Sequence, residues 1–145
     1  MAAFMRAIRI TLASLLIGLA GFSARAEVAV VVSPENPLAT LTRTQLANLF
    51  LGRSSGFPDG GRVIPVDQLE TNAIRKTFYT ENLGWSQAQL KAHWSKIIFT
   101  GRGQPPKQLA NDAEVKKFIA NNPRGIGYIQ KGNASADVKI VDIVP

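Results

Sequence analysis

The apolar residues of this chain fall into short unbroken runs and into stripes with helical spacing. The run Val28–Val32 is small or β-branched throughout, which predicts a strand buried on both faces, as is typical of parallel sheets. Two further strands are predicted at Arg62–Asp67, where Pro65 favours a strand end or an edge, and at Gly125–Ile129. The alternating run Val138–Ile143 predicts an edge strand.

Four helices are predicted between these strands, and two of them have clear start signals. Thr42 and Ser86 each precede a glutamine by three residues, which is the spacing of a capping box. A third helix is expected from about Thr71 to Asn82, and a fourth begins at Asn111. Alternating strands and helices indicate an α/β layered domain. The predicted core-facing stripes are Leu46, Leu49 and Phe50; Ile74, Phe78 and Tyr79; Leu90, His93, Trp94, Ile97 and Ile98; and Val115, Phe118 and Ile119.

The first 26 residues have the three parts of a secretory signal peptide. Arg6 and Arg9 precede an apolar run over residues 10–22, and Ala24-Arg25-Ala26 follows as an A-x-A cleavage site. The alternative is a membrane anchor, but the run is shorter than the ~18–20 apolar residues of a spanning helix. We therefore expect a signal peptide over 1–26, cleavage after Ala26, and a single periplasmic domain over 27–145.

Composition narrows the chemistry of the exported part. Removing residues 1–26 leaves 14 basic and 10 acidic residues, so the net charge falls from +7 to +4. The chain has no cysteine, and His93 is its only histidine, which excludes thiolate and His-rich metal sites. No cofactor and no metal are expected. Export and scattered basic residues also argue against a nucleic-acid partner.

Several stretches of the chain stand in an order that matches a known family. They are Leu41-Thr42, Gln45-Leu46, Leu49-Phe50-Leu51-Gly52, Val63-Ile64-Pro65-Val66, Arg75, Phe78 and Gly125-Ile126-Gly127-Tyr128-Ile129. Together they resemble the phosphate-type periplasmic substrate-binding proteins of ABC transporters, and the segment from Trp94 to Pro106 looks like a short, single-lobe branch of that family. The resemblance implies an α/β fold of three layers: a single lobe of the type II periplasmic-binding-protein fold, with a mixed sheet flanked by helices.

The resemblance also implies where ligand-binding residues stand and where this chain departs from the family. Counting back from Phe78, the arginine that the family has after the second strand falls on Gln68. The Ser-Gly-Thr at the start of the next helix falls on Asn72, Ala73 and Ile74. Two side-chain ligands have become amides, and the threonine hydroxyl is lost. Ligands from the family's other lobe have no counterpart here.

From the residues themselves, the turn between Asp67 and Ala73 is the best anion candidate. A helix start offers unpaired N–H groups, Thr71 and Asn72 add polar side chains, and Arg75 follows one turn later. Asp67 and Glu70 would repel an anion, and the alternative is that Thr71 or Asn72 simply caps the helix.

A second candidate is the loop Thr100-Gly101-Arg102-Gly103 with Lys107, whose alternative is an ordinary basic surface loop. His93, Trp85 and Trp94 fall on packing positions, with a catalytic or sugar-stacking role as the alternative. The candidate ligand-binding residues are thus Gln68, Thr71, Asn72, Ala73, Arg75, Thr100 and Gly101.

These observations predict a non-enzymatic exported binding module for a small oxyanion, phosphate first, in ABC transport or envelope sensing. The alternative is a protein-interaction or sensor-docking domain that has lost small-ligand binding. An enzyme is disfavoured because no Ser/His/Asp set or paired-carboxylate motif is visible. We also expect an envelope protein partner and no stable membrane anchor after cleavage. The rim expected to meet that partner is Asp67, Gln68, Glu70, Thr71, Asn72, Arg102 and Gln104.

Overall fold

Strand β1, Val28–Val32, lies inside a six-stranded sheet and is buried as the sequence predicts. The computed structural model describes residues 27–145, so the predicted signal peptide and its cleavage site lie outside the described residues. The sheet is mixed, in the order β2-β6-β1-β5-β3-β4. The other strands are β2 Thr40–Thr42, β3 Ile64–Gln68, β4 Lys107–Leu109, β5 Gly125–Gln130 and β6 Lys139–Val144.

Helices cover both faces of the sheet, which gives the predicted three layers. Successive β1 side chains point to opposite faces, so Val30 and Val32 join one core while Ala29 and Val31 join the other. The first core lies under α1 Arg43–Phe50, α2 Ala73–Thr77 and α3 Gln87–Phe99. The second, smaller core lies under α4 Asp112–Asn121.

The predicted helix starts are present, because their signals are local. Both capping boxes form: Thr42 Oγ1 accepts from the Gln45 N–H at 3.0 Å, and the Ser86 hydroxyl accepts from the Gln89 N–H at 3.1 Å. The Asn111 side chain likewise caps α4 by accepting from the Glu114 N–H at 3.0 Å.

The helix expected from about Thr71 to Asn82 is instead two pieces. Helix α2 covers Ala73–Thr77, and a π-helical turn continues it over Phe78–Asn82. The turn closes where the Leu83 N–H donates to Phe78 O at 3.2 Å, and Gly84 follows at φ +71°. Ile74, Phe78 and Tyr79 face the core as predicted.

Strand β6 is not at an edge, and the antiparallel pairing of β1 also differs from expectation. Strand β2 pairs with β6 in parallel, and β1 is antiparallel to both β5 and β6. The true edges, β2 and β4, have three residues each, too few for a hydrophobic period to reveal them. Pro65 is the second residue of β3, near the strand end that the sequence predicts. Pairing of β3 with β4 begins only at the next residue, Val66.

The apolar stripe predicted on α3 faces the core only in part. Leu90 and Trp94 are buried, but Ile98 is 55 % exposed. The last turn of α3 therefore extends beyond the part of the helix that packs on the first core. Within residues 27–145, no helix has the length and apolar character that crossing a membrane requires.

Candidate functional site

A cleft of about 560 Å³ opens where β3 and β5 end and α2 and α4 begin. Strands β3 and β5 are parallel, so their carboxyl ends, Gln68 and Gln130, reach the same edge of the sheet. Crevices at the carboxyl ends of strands are where open α/β sheets bind ligands. The cleft is lined by Gln68, Thr71, Asn72, Ala73, Ile74, Ala110, Asn111, Asp112, Ala113, Gln130 and Asn133.

Gln68 lies at the inner end of the cleft and is 1 % exposed. Its Nε2 donates to Tyr128 O at 3.0 Å and to Asp112 Oδ1 at 2.7 Å. Its Oε1 accepts from Asn72 Nδ2 at 3.1 Å. The amide that stands at the family's arginine position therefore joins β3, β5, α2 and α4 as an internal cross-link.

Asn72 does not cap α2 with its side chain, so the capping alternative is wrong for this residue. Its Nδ2 donates instead to Gln68 Oε1 and, at 2.8 Å, to Ala110 O in the loop before α4. The first N–H groups of a helix have no intrahelical partner. Those of Ala73 and Ile74 begin α2 at the wall of the cleft, and Thr71 lies exposed at its mouth.

The opposite wall carries a carboxylate. Asp112 Oδ2 accepts from the Gln130 N–H at 3.0 Å and from Asn133 Nδ2 at 2.7 Å, while Oδ1 accepts from Gln68. None of the residues that line the cleft is a lysine or an arginine. The cleft is therefore amide-rich, with one hydrogen-bonded negative charge. Sequence reasoning missed Asp112 because only the fold brings it beside Gln68.

Arg75 does not lie in the cleft, contrary to the sequence prediction. Its side chain is buried, with Nε 3.4 Å from Asp67 Oδ1 and the guanidinium 5.1 Å from the centre of the Tyr79 ring. Its Nη1 donates to Gln87 Oε1 at 3.1 Å. Because Asp67 is buried and paired, it does not face the cleft to repel an anion. Asp67 and Gln68 are also too buried to belong to the polar rim predicted for a partner.

Two tyrosine hydroxyls complete the surroundings of Asp67. Tyr79 donates to Asp67 Oδ2 at 2.6 Å, and Tyr128 donates to Oδ1. Burial, and then the Asp67 charge, raise the pKa of Tyr79 well above 10, and the same causes raise the pKa of Tyr128. Both hydroxyls therefore remain neutral donors. No sequence spacing pointed to this cluster, whose members lie up to 61 positions apart.

Thr100 and Gly101 are not brought to the cleft. The Thr100 hydroxyl donates to Lys96 O at 3.0 Å and to Ile97 O at 3.1 Å, which closes the end of α3. Gly101 adopts φ +66° in the turn that follows. These contacts favour the surface-loop interpretation of this segment.

His93 has the contacts of a packed histidine. Its Nε2 lies 2.8 Å from Leu51 O, and its ring meets Trp85 and Trp94 edge-on, with centroids 5.4 and 5.0 Å away. Trp94 is buried in the first core. Trp85 is half-buried and lies 5.3 Å from the Arg53 guanidinium. Both tryptophans therefore pack within the fold, and neither is among the residues that line the cleft, where it could stack on a sugar.

The fold is similar to that of solved phosphate-binding proteins of ABC transporters. An ABC-type phosphate transport receptor from Vibrio cholerae superposes with a TM-score of 0.65 at 19 % identity, covering 80 % of this chain and 45 % of that one. PstS from Borrelia burgdorferi gives 0.61 at 14 % identity, with 80 % and 46 % covered. A Clostridium perfringens protein, solved with bound phosphate and assigned as a phosphate ABC transporter substrate-binding protein, gives 0.64 at 18 %, with 80 % and 44 % covered.

These likenesses establish the fold, and they confirm the predicted α/β architecture. The chain spans less than half the length of each of these three structures, as a match to a single lobe would. No family model matches the sequence, and no curated protein matches it.

Proposed function

We propose that this chain is a non-enzymatic binding module that takes a small oxyanion, phosphate first, in the cleft between α2 and α4. The observation that carries the proposal is the helix start at Asn72, whose side chain leaves the first N–H groups of α2 without a cap at the wall of the cleft. Such groups attract anions. A structural neighbour of the same fold was solved with bound phosphate, which supports the choice of ligand.

The affinity is expected to be low, with a Kd of about 0.1–1 mM or weaker. No lysine or arginine lines the cleft, and Asp112 adds a negative charge to it. Charge-assisted hydrogen bonds are roughly twice as strong as neutral ones. An amide at the position of the family's arginine therefore binds an anion more weakly than the arginine would. A sub-micromolar phosphate affinity of the monomer would contradict this.

Calorimetric titration of residues 27–145 with phosphate and with sulfate, at low and physiological salt, tests the proposal. The decisive variant is Thr71→Asp, which adds a negative charge at the mouth of the cleft and is expected to weaken binding at least about five-fold. Thr44→Asp is the matched control, since Thr44 is an exposed threonine on α1 that lies outside the cleft. Equal loss in both variants, or no binding by the unmodified protein, would refute the site.

A second function, a protein-interaction domain without a small ligand, is favoured by one observation. Gln68, Asn72 and Asp112 satisfy one another, and Arg75 is paired internally, so the side chains predicted as ligands are already in use. We expect the partner to be an envelope protein, in keeping with the proposed export to the periplasm. A photo-crosslinker placed at Thr71 in intact cells tests for the partner, and titration of the purified protein distinguishes the two functions, because only this one predicts that neither phosphate nor sulfate binds.

A further inference from the structure

The basic residues of 27–145 are scattered, but one segment lacks the acidic residues that offset them elsewhere. Residues 82–111 hold four lysines and arginines and no aspartate or glutamate, whereas the rest of 27–145 holds ten residues of each sign. The whole net charge of +4 therefore comes from α3, the loop after it and β4. None of these four cations forms an ion pair within the described residues.

The same segment exposes apolar side chains at the end of α3. Phe99 is 92 % exposed and its neighbour Ile98 is 55 % exposed. Leu90 and Trp94 anchor the earlier turns of α3 in the core. Ile98 continues their stripe into the last turn, where it is exposed together with Phe99. Phenylalanine is a residue that folding normally buries.

Three cations belong to the same helix or to the turn that follows it: Lys91, Lys96 and Arg102. On a helix, residues three apart are neighbours on one face, so Lys96 lies beside Phe99, and Lys91 lies on the face of Ile98 two turns earlier. The chain after α3 then folds back, with the Arg102 N–H donating to Ile97 O at 3.1 Å. This contact holds Arg102 against the last turn of the helix. The end of α3 thus combines an exposed aromatic side chain with exposed cations from the same helix and from the loop that follows it.

We propose that the tip formed by Lys91, Lys96, Ile98, Phe99 and Arg102 docks reversibly on a bilayer that carries anionic lipids. Exposed apolar side chains entering the headgroup region, with lysines and arginines that meet lipid phosphates, are the two contributions that bind helices at a membrane surface. The charge complementarity is direct, because the tip has no acidic neighbour in sequence between Glu81 and Asp112.

The size of the tip favours a lipid surface over a protein partner. Phe99 and Ile98 together present on the order of 300 Å² of apolar surface. A stable protein interface needs about 800 Å² on each partner. A convex helix end with two apolar side chains falls well short of that, but a bilayer requires no matching shape.

Co-sedimentation of residues 27–145 with vesicles tests the proposal. This part of the chain is suitable because its own helices cover both faces of the sheet. Binding is expected to phosphatidylcholine vesicles that contain 30 % phosphatidylglycerol (about physiological charge density) and not to pure phosphatidylcholine, and it should fall as salt rises. Free phosphate at millimolar concentration should not displace the protein. Thr71→Asp should bind vesicles like the unmodified protein, which separates this result from the anion cleft.

Two changes on the tip and one matched control locate the contact. Phe99→Ser removes the projecting ring, and Lys96→Gln with Arg102→Gln removes two charges. We expect about a five-fold weaker partition for each cation removed, or roughly 25-fold for the pair. Lys117→Gln with Arg124→Gln removes the same charge from exposed positions elsewhere and should change binding by less.

Each outcome decides the proposal. Weakened binding in both tip variants, with the control nearer to the unmodified protein, supports docking through the tip. Equal loss in the tip and control charge pairs would mean attraction by net charge alone and would overturn the site. Absence of vesicle binding, or capture of an acidic protein by the same tip, would overturn the lipid assignment.

Discussion

At the residue scale, the Asp67 carboxylate is buried with the Arg75 guanidinium and two tyrosine hydroxyls. The sequence predicts that Asp67 repels an anion and that Arg75 attracts one, yet each is the other's internal partner. A buried charge needs compensation, and here it comes from an opposite charge, three hydrogen bonds to Asp67 and the face of Tyr79. The pair therefore serves the fold rather than a ligand.

Replacing Asp67 with asparagine should leave the Arg75 charge buried and unpaired. We expect Asp67→Asn to lower the free energy of unfolding by about 3–5 kcal/mol, because an uncompensated internal charge is costly. Urea denaturation measures the change. Adding Arg75→Met should recover part of the loss, and Asp142→Asn, on an exposed strand residue, should cost little. A loss below about 1 kcal/mol in Asp67→Asn would contradict the buried pair.

The two tyrosines of the chain, Tyr79 and Tyr128, both donate to Asp67, which gives a clear pH prediction. Their pKa values are raised in the folded protein, while unfolded tyrosines ionise near ~10. The stability from the neutral hydroxyls is therefore complete below about pH 10 and is lost as pH rises above it. Tyrosinate absorbance should appear only together with unfolding. Ionisation near pH 10 in the folded protein would contradict the buried cluster.

At the scale of elements, the spacing of Gly125 and Gly127 lets α4 approach the sheet. A Cβ on Gly127 would lie 2.8 Å from Val115 Cγ1 and 3.1 Å from Val66 Cγ2. Gly125 would likewise meet Ile119 Cδ1 at 3.0 Å. Strand β5 thus carries glycines on its α4 face and larger residues, Ile126 and Tyr128, on the other. This explains the Gly-Ile-Gly-Tyr pattern by packing.

Gly127→Ala should push α4 away from the sheet. We expect a loss of about 1–3 kcal/mol in the free energy of unfolding, the usual cost of overpacking a core. Gly132→Ala is the matched control, because a Cβ there meets nothing within 4 Å. Thermal or urea denaturation should show a near-neutral effect for the control. Similar effects of the two changes would mean that α4 lies farther from β5.

At the scale of the whole molecule, the predicted signal peptide bears on the compartment in which this protein works. The sequence predicts cleavage after Ala26 and release into the periplasm, on the motif Ala24-Arg25-Ala26. Amino-terminal sequencing of the protein from a periplasmic extract should begin at Glu27. Recovery of the intact chain Met1–Pro145 only from the membrane fraction would favour the anchor alternative.

Local signals were enough to predict the main elements. The capping boxes at Thr42 and Ser86 depend on neighbours within three residues, and the structure has both. The β-branched run Val28–Val32 is buried because such a run has no polar face to present to water. The fold class followed from the order of these elements and from the family resemblance.

The cleft and the buried charges were decided by tertiary structure alone. Gln68 meets Asp112 and Asp67 meets Tyr128 across separations of 44 and 61 positions, which no local pattern encodes. The three-residue edge strands and the exposed end of α3 likewise depend on where the sheet stops. By itself the sequence determined which segments become helices and strands. Which polar side chains face a ligand and which face one another depends on the fold, because a buried polar group takes whichever partner lies closest in space.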